Sequence, residues 1–222
     1  MLKYRELKPW RWALLLATVL STAAPSAPDA QPITIGFGMA LTGGLAPNGR
    51  SALLAMQLWE SEVNAKGGLL GRPVKLVYYD DQSNPSTVPG LFTKLLDVDK
   101  VDLVISGYGT NMIAPALPVI MQHNRTFLAL FGLAVNSDFN YPNYFSITPM
   151  GGQEPKQSFS KGFFEVAMAQ NPKPTTLALT GADAEFPHNA LEGARVLAKA
   201  AGLKIVYDRS YPPTTKIGRA HV

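Results

Sequence analysis

The feature that most limits what this chain can fold into is an alternation. Apolar runs of strand length recur as "PITIGFG" (32–38), "PVKLVYY" (73–79), "VDLVIS" (101–106), "TFLAL" (126–130), "TTLALTG" (175–181) and "LKIVYDR" (203–209). Helix-length stretches separate most of them. A strand that is apolar at successive positions is buried on both faces, as in a parallel sheet covered by helices. Crossovers between parallel strands are right-handed. The pattern therefore predicts an α/β class with doubly wound parallel sheets.

The expected helices span Asn48–Lys66, Ser86–Asp97, Met112–His123, Gln153–Ala169 and Pro187–Ala201. In the first, Leu53, Leu54, Met56, Leu58, Trp59 and Val63 share one broad face. "NYFSIT" (143–148) reads as a crossing strand. The Gly/Pro-rich "SITPMGGQEP" (146–155) separates a four-strand set from a second βα series. Two lobes are expected, 31–149 and 150–215, with a hinge near Pro149 to Gly152.

The two ends read differently from this body. "MLKYRELKPWRW" is basic, "ALLLATVL" is a short apolar core, and "STAAPSAPDA" supplies small residues for cleavage between Ala23 and Ala30. Together they read as a secretory signal peptide over residues 1–30, with export to the periplasm. An uncleaved anchor is the alternative, disfavoured because the apolar run is short for a bilayer. At the other end, "IGRAHV" back-translates to the start of a common sequencing adapter. The natural sequence is thus expected to stop near Thr215, with 216–222 a non-native tail; a genuine basic tail is the alternative. The formal charge of +4 comes from these ends, and the body between them is near −1. The basic balance is then no argument for nucleic acid or an acidic surface.

There is no cysteine, which excludes disulfides, thiolate metal sites and a cysteine nucleophile. "GFGMAL" has two glycines of a dinucleotide fingerprint but Leu41 in place of the third. "GYGTN" is not a nucleophile elbow. His123, at a helix end, and His188, in a first helical turn, lack metal-ligand spacing. Asp80 and Asp81 could face a cation, but turn formation with capping by Ser83, Asn84 or Ser86 is the stronger reading. No cofactor, metal or catalytic group is expected.

In open parallel sheets ligands bind beyond the carboxyl ends of strands. The loops there are "MALTGGLAPN", "DDQSNP", "GYGTNM", "FGLAVNSD" and "ADAEFP". They are small, polar and glycine-rich. In "GYGTN", glycines allow close backbone approach while Thr110 and Asn111 offer hydrogen bonds. Such a loop holds a small polar solute without reacting with it, though the same two residues could merely cap the next helix.

The stretch from Leu41 to Ser86, above all "NAKGGLLGRPVKLVYYDD" (64–81), resembles the substrate-binding proteins of ABC transporters for branched-chain amino acids. The later "YPPTT" (211–215) fits as well. The resemblance runs from Pro32 to Thr215 and implies a type I periplasmic binding fold whose second lobe is incomplete. It implies no enzyme activity, a membrane permease as partner, and a ligand that is a branched-chain or other amino acid, or a small aromatic or aliphatic carboxylate or amide. The implied ligand loops are Tyr108 to Asn111, with Gly109 and Thr110, and Gly132, Leu133, Ala134 and Asn136. Phe186 takes the position of a covering aromatic, and Asn48 stands where relatives place an aromatic wall. Phe186 lacks a tyrosine hydroxyl, and Leu133 and Val135 replace smaller or hydroxylated residues, so the pocket is expected to be less polar than an α-amino acid site. A ligand-sensing receptor on the same fold remains open, as does, from another class, a secreted α/β hydrolase.

Overall fold

The computed structural model describes residues 31–148, 153–213 and 215. The expected leader over residues 1–30, the expected hinge from Pro149 to Gly152 and the expected non-native tail from Lys216 lie outside the described residues. Among those described, no helix is long and apolar enough to cross a membrane.

Strands β1 (Ile33–Met39), β2 (Val74–Asp80), β3 (Leu103–Tyr108), β4 (Phe127–Leu130) and β5 (Tyr144–Ser146) form one sheet in the order β2-β1-β3-β4-β5. All neighbours pair in parallel. The expected crossing strand is thus the fifth member of this sheet, bonded to β4 from Phe127–Tyr144 to Ala129–Ser146. A second, two-stranded parallel sheet joins β6 (Thr176–Ala182) to β7 (Lys204–Tyr211).

Both faces of the five-stranded sheet are covered, as continuous apolar runs require. On one face Ile35, Phe37 and Met39 of β1 pack with Val74, Leu76 and residues of α1 (Ala46–Ala65), including Leu53, Met56 and Val63. The other face carries Val88, Phe92 and Leu95 of α2 (Val88–Thr93) and the π-helical turns after it, with Val104, Leu117, Ile120 and Phe127. β1 meets that second face through Gly36: a Cβ there would lie 2.7 Å from Val101 Cγ2. Only a residue without a side chain lets the two layers approach so closely.

The expected helix 112–123 is broken into α3 (Thr110–Ile113), a 3₁₀ turn over Ala114–Ala116, and α4 (Leu117–Gln122). Pro115 and Pro118 lack the amide hydrogens that a continuous helix needs. After β4 comes α5 (Asn136–Phe139), closed by Asn140 in the left-handed conformation. The helix expected over 153–169 is two pieces, α6 (Pro155–Ser158) and α7 (Lys161–Met168), and α8 spans Glu185–Ala200. Phe164, Leu179, Leu191, Ala194 and Ala198 form the core beneath the smaller sheet.

Candidate functional site

In the order β2-β1-β3-β4-β5 all strands run parallel, but β2 is added on one side of β1 and β3 to β5 on the other, and parallel sheets open a crevice at that switch point between β1 and β3. The loops after β1 and β3 lie there. Asp80, at the end of β2, anchors the first loop: its carboxylate accepts from the amides of Leu41, Thr42 and Gln82 and from the Thr42 hydroxyl at 2.6 Å. Burial works against its ionisation, but these bonds outweigh that and hold the carboxyl below its ordinary value. Asn84 caps the following turn, its side chain accepting from Ser86 N at 3.1 Å. The adjacent carboxylates thus serve turn and loop geometry, and no cluster of metal-ligating residues occurs among the described residues.

Asp81 is fully buried. Its Oδ1 accepts from Ser83 N at 2.8 Å, whereas Oδ2 has no hydrogen-bond partner. Burial pushes this carboxyl up, opposed by the Ser83 bond and assisted by the negative charge of Asp80. His123 bridges Val119 O and Asp97 Oδ1, both at 2.8 Å. His188 sits 2.9 Å from Asp183. Each of these two histidines has a local partner in its own neighbourhood.

At the end of β3, Gly109 has φ +89° and ψ 157°, a conformation open to glycine and strained for other residues. This turn sends Thr110 inward. Thr110 is fully buried and its Oγ1 accepts from Leu133 N at 3.0 Å, tying the loop after β3 to the loop after β4. Asn111 points the other way, and its Oδ1 accepts from Phe186 N, in the first turn of α8, at 3.1 Å. Asn189, one turn on, donates to Leu133 O at 3.0 Å. Two hydrogen bonds therefore link the five-stranded layer to α8.

Between them lies a cavity of about 470 Å³, inside the range of small-molecule sites. Of the residues singled out from sequence, Asn48, Tyr108, Gly109, Thr110, Asn111 and Phe186 line it. Asn48 Nδ2 donates to the Tyr108 hydroxyl at 2.9 Å. Gly132, Ala134 and Asn136 instead line a separate depression, which also contains Tyr144 and Ser146. Burial, partly offset by a bond to Ser146, pushes the Tyr144 phenol up to about 12. Leu133 is fully buried and lines neither the cavity nor the depression; its backbone donates to Thr110 Oγ1 and accepts from Asn189.

Sequence reasoning did not single out Leu45, Phe131, Thr148, Ala182, Ala184, Pro187 or Pro213, which complete the described wall. Phe131 was within reach, as the first residue of "FGLAVNSD" at the carboxyl end of β4. Thr148 had a weaker signal, its position next to the Gly/Pro-rich break.

The family profile described as "Periplasmic binding protein" matches residues 32–217. The chain belongs to the periplasmic binding protein family. A Leu/Ile/Val-binding protein homolog 7 of Brucella melitensis is 24% identical over 211 residues, covering 91% of this chain and 51% of that relative. The chain thus spans about half the length of the curated relatives it matches. Among solved structures, the branched-chain amino acid transporter substrate-binding protein LivJ from Streptococcus pneumoniae, in complex with isoleucine, superposes with a TM-score of 0.70 at 19% identity. That match covers 83% of this chain and 51% of LivJ. A solute-binding protein of an ABC transporter from Rhodopseudomonas palustris BisB5, in complex with 3,4-dihydroxybenzoic acid, gives a TM-score of 0.66 at 19% identity over 82% of this chain and 47% of its own. These likenesses establish the type I periplasmic binding fold, and the 2-1-3-4-5 parallel sheet is this family member's version of its first layer.

Proposed function

We propose that this chain is the solute-binding component of an ABC importer. It takes a small amino acid, or a related carboxylate or amide, between two lobes and delivers it to a membrane permease. The observation that carries this reading is the cavity at the switch point, walled by Tyr108 to Asn111 on one side and by Ala182 to Pro187 on the other. A ligand touching both walls favours their closed arrangement by its differential affinity for it. Closure is then a signal the permease reads. The relatives named above, one with isoleucine and one with dihydroxybenzoate, support a small-solute reading in which side chains of the wall choose the ligand. The basic, apolar and small-residue pattern of residues 1–30 supports export to the periplasm.

The test is a thermal-shift screen of the whole gene product against small carboxylates, amides and amino acids, followed by calorimetry. A true ligand raises the melting temperature, because it binds the folded state alone. Replacing both Thr110 and Asn111 by alanine is expected to weaken that ligand at least tenfold, about 1.4 kcal/mol. Unchanged affinity would put the solute elsewhere and sink the site assignment.

A further inference from the structure

Helix α8 has no cap of its own. Its N-cap position is Ala184, whose methyl group cannot accept a hydrogen bond, although its backbone (φ −155°, ψ 160°) has the extended conformation that capping residues adopt. Asp183, one residue earlier, is turned to His188 at 2.9 Å. Within the first turn His188 N donates to Ala184 O, and Pro187 has no amide hydrogen. Phe186 N is therefore a donor that the helix cannot satisfy from within.

Its acceptor comes from the other side of the cavity. Asn111 Oδ1, 75 residues away in sequence, accepts from Phe186 N at 3.1 Å. An N-cap side chain accepts from the second or third amide of its helix. Phe186 holds the second position and Pro187 the third. Asn111 thus does for α8 what Asn84 does locally for the turn over Pro85–Thr87, where its side chain accepts from Ser86 N. One turn further along α8, Asn189 donates to Leu133 O at 3.0 Å and holds the same stretch of helix against the loop after β4. Both bonds join protein groups, so neither needs a solute in order to form.

We propose that Asn111 is the N-cap of α8, supplied across the cleft, and that this contact favours the closed arrangement of the two lobes before any solute arrives. Opening the cleft leaves Phe186 N to water, and loss of a capping side chain shifts a helix equilibrium by about fivefold. The closed fraction in turn scales the apparent affinity for a solute that requires it. This rests on the two-lobed solute-binding reading above and adds a contact that sets its opening equilibrium.

Single-molecule energy transfer on the whole gene product, without solute, tests it. Exposed Ser61 on α1 and Lys199 on α8 are replaced by cysteine to carry one dye on each lobe. A short-distance population is expected, and Asn111→Ala is expected to lower its ratio to the long-distance population by about fivefold. Asn111→Asp keeps the acceptor and places negative charge at a helix N-terminus, so it is expected to retain or enlarge the short-distance population. Ala184→Ser offers Phe186 N a cap that persists when the cleft opens. On that background Asn111→Ala is expected to change the ratio by less than about twofold. A ratio indifferent to Asn111→Ala overturns the inference, as does an undiminished effect in the presence of Ala184→Ser. A single distance in every variant overturns it too. None of these results decides the solute-binding reading, which fails only if the ligand screen finds nothing.

Discussion

The Thr110 hydroxyl accepts from a buried backbone amide, so its removal acts on the fold before it acts on a ligand. Thr110→Ala leaves Leu133 N unpaired, at a cost of about 1–3 kcal/mol, while Thr110→Ser keeps the acceptor. Asn111→Ala removes a bond between layers at a partly exposed position and is expected to leave the urea midpoint nearly unchanged. Denaturation of the single variants therefore separates the two contributions that the double substitution combines. Asp81 gives a pH prediction. Burial holds its carboxyl above the ordinary value, so the folded protein keeps the proton to higher pH than the unfolded chain. Its contribution to stability is complete below the unfolded value and is lost as pH rises through the raised folded value. Asp81→Asn retains an acceptor for Ser83 N and carries no charge. As pH rises from the ordinary carboxylate value through the raised folded value, the native protein is expected to lose stability relative to this variant. Parallel curves would contradict the assignment. Sequence reasoning placed Thr110 and Asn111 in the crevice because both follow a strand end. It could not divide their roles, because the direction of each side chain is set by Gly109 and by partners 23 and 75 residues away.

At the level of elements, the strands were the most legible part. Their apolar runs reflect burial on both faces, and six of the seven strands follow directly from those runs. The helices were harder. The stretch 112–123 carries helical periodicity, yet Pro115 and Pro118 divide it. β5 was read as a strand but not placed, since its neighbour β4 is chosen by tertiary packing. The loop after β4 shows the same limit. Its residues Gly132, Ala134 and Asn136 turn to a second depression, while Phe131 turns to the cavity. Periodicity does not report such directions in a loop with positive φ at Phe131 and Ala134. Helix α8 supplies a further test. Asn189 joins it to Leu133 O and was not foreseen from sequence. Asn189→Ala is expected to weaken ligand binding by about three- to tenfold, the worth of one neutral hydrogen bond, without touching the ligand itself. A slower closing rate in stopped-flow fluorescence, with unchanged melting temperature, is the accompanying signature. Unaltered affinity would remove this contact from the closure account.

Taken as a whole molecule, the described chain has a well-covered larger sheet and a thinly covered smaller one. Phe163, Val166, Val206 and Tyr207 are all more than half exposed. A groove of about 380 Å³ beside β6 is lined by Phe159, Phe163, Leu177 and Leu179 among others. Exposed apolar surface next to unpaired strand edges promotes association between chains. The 222-residue chain expressed by itself is therefore expected to self-associate and to bind solute poorly. Size-exclusion chromatography with light scattering checks this, and a monodisperse monomer with sub-micromolar ligand affinity would refute it. The central claim concerns the cavity at the switch point between β1 and β3. A crystal structure of the whole gene product with its tightest ligand from the screen tests that claim most directly. The account predicts ligand density between Tyr108 and Phe186, in contact with Asn111. Density in the depression of Gly132 and Asn136, with the switch-point cavity holding only solvent, would contradict it.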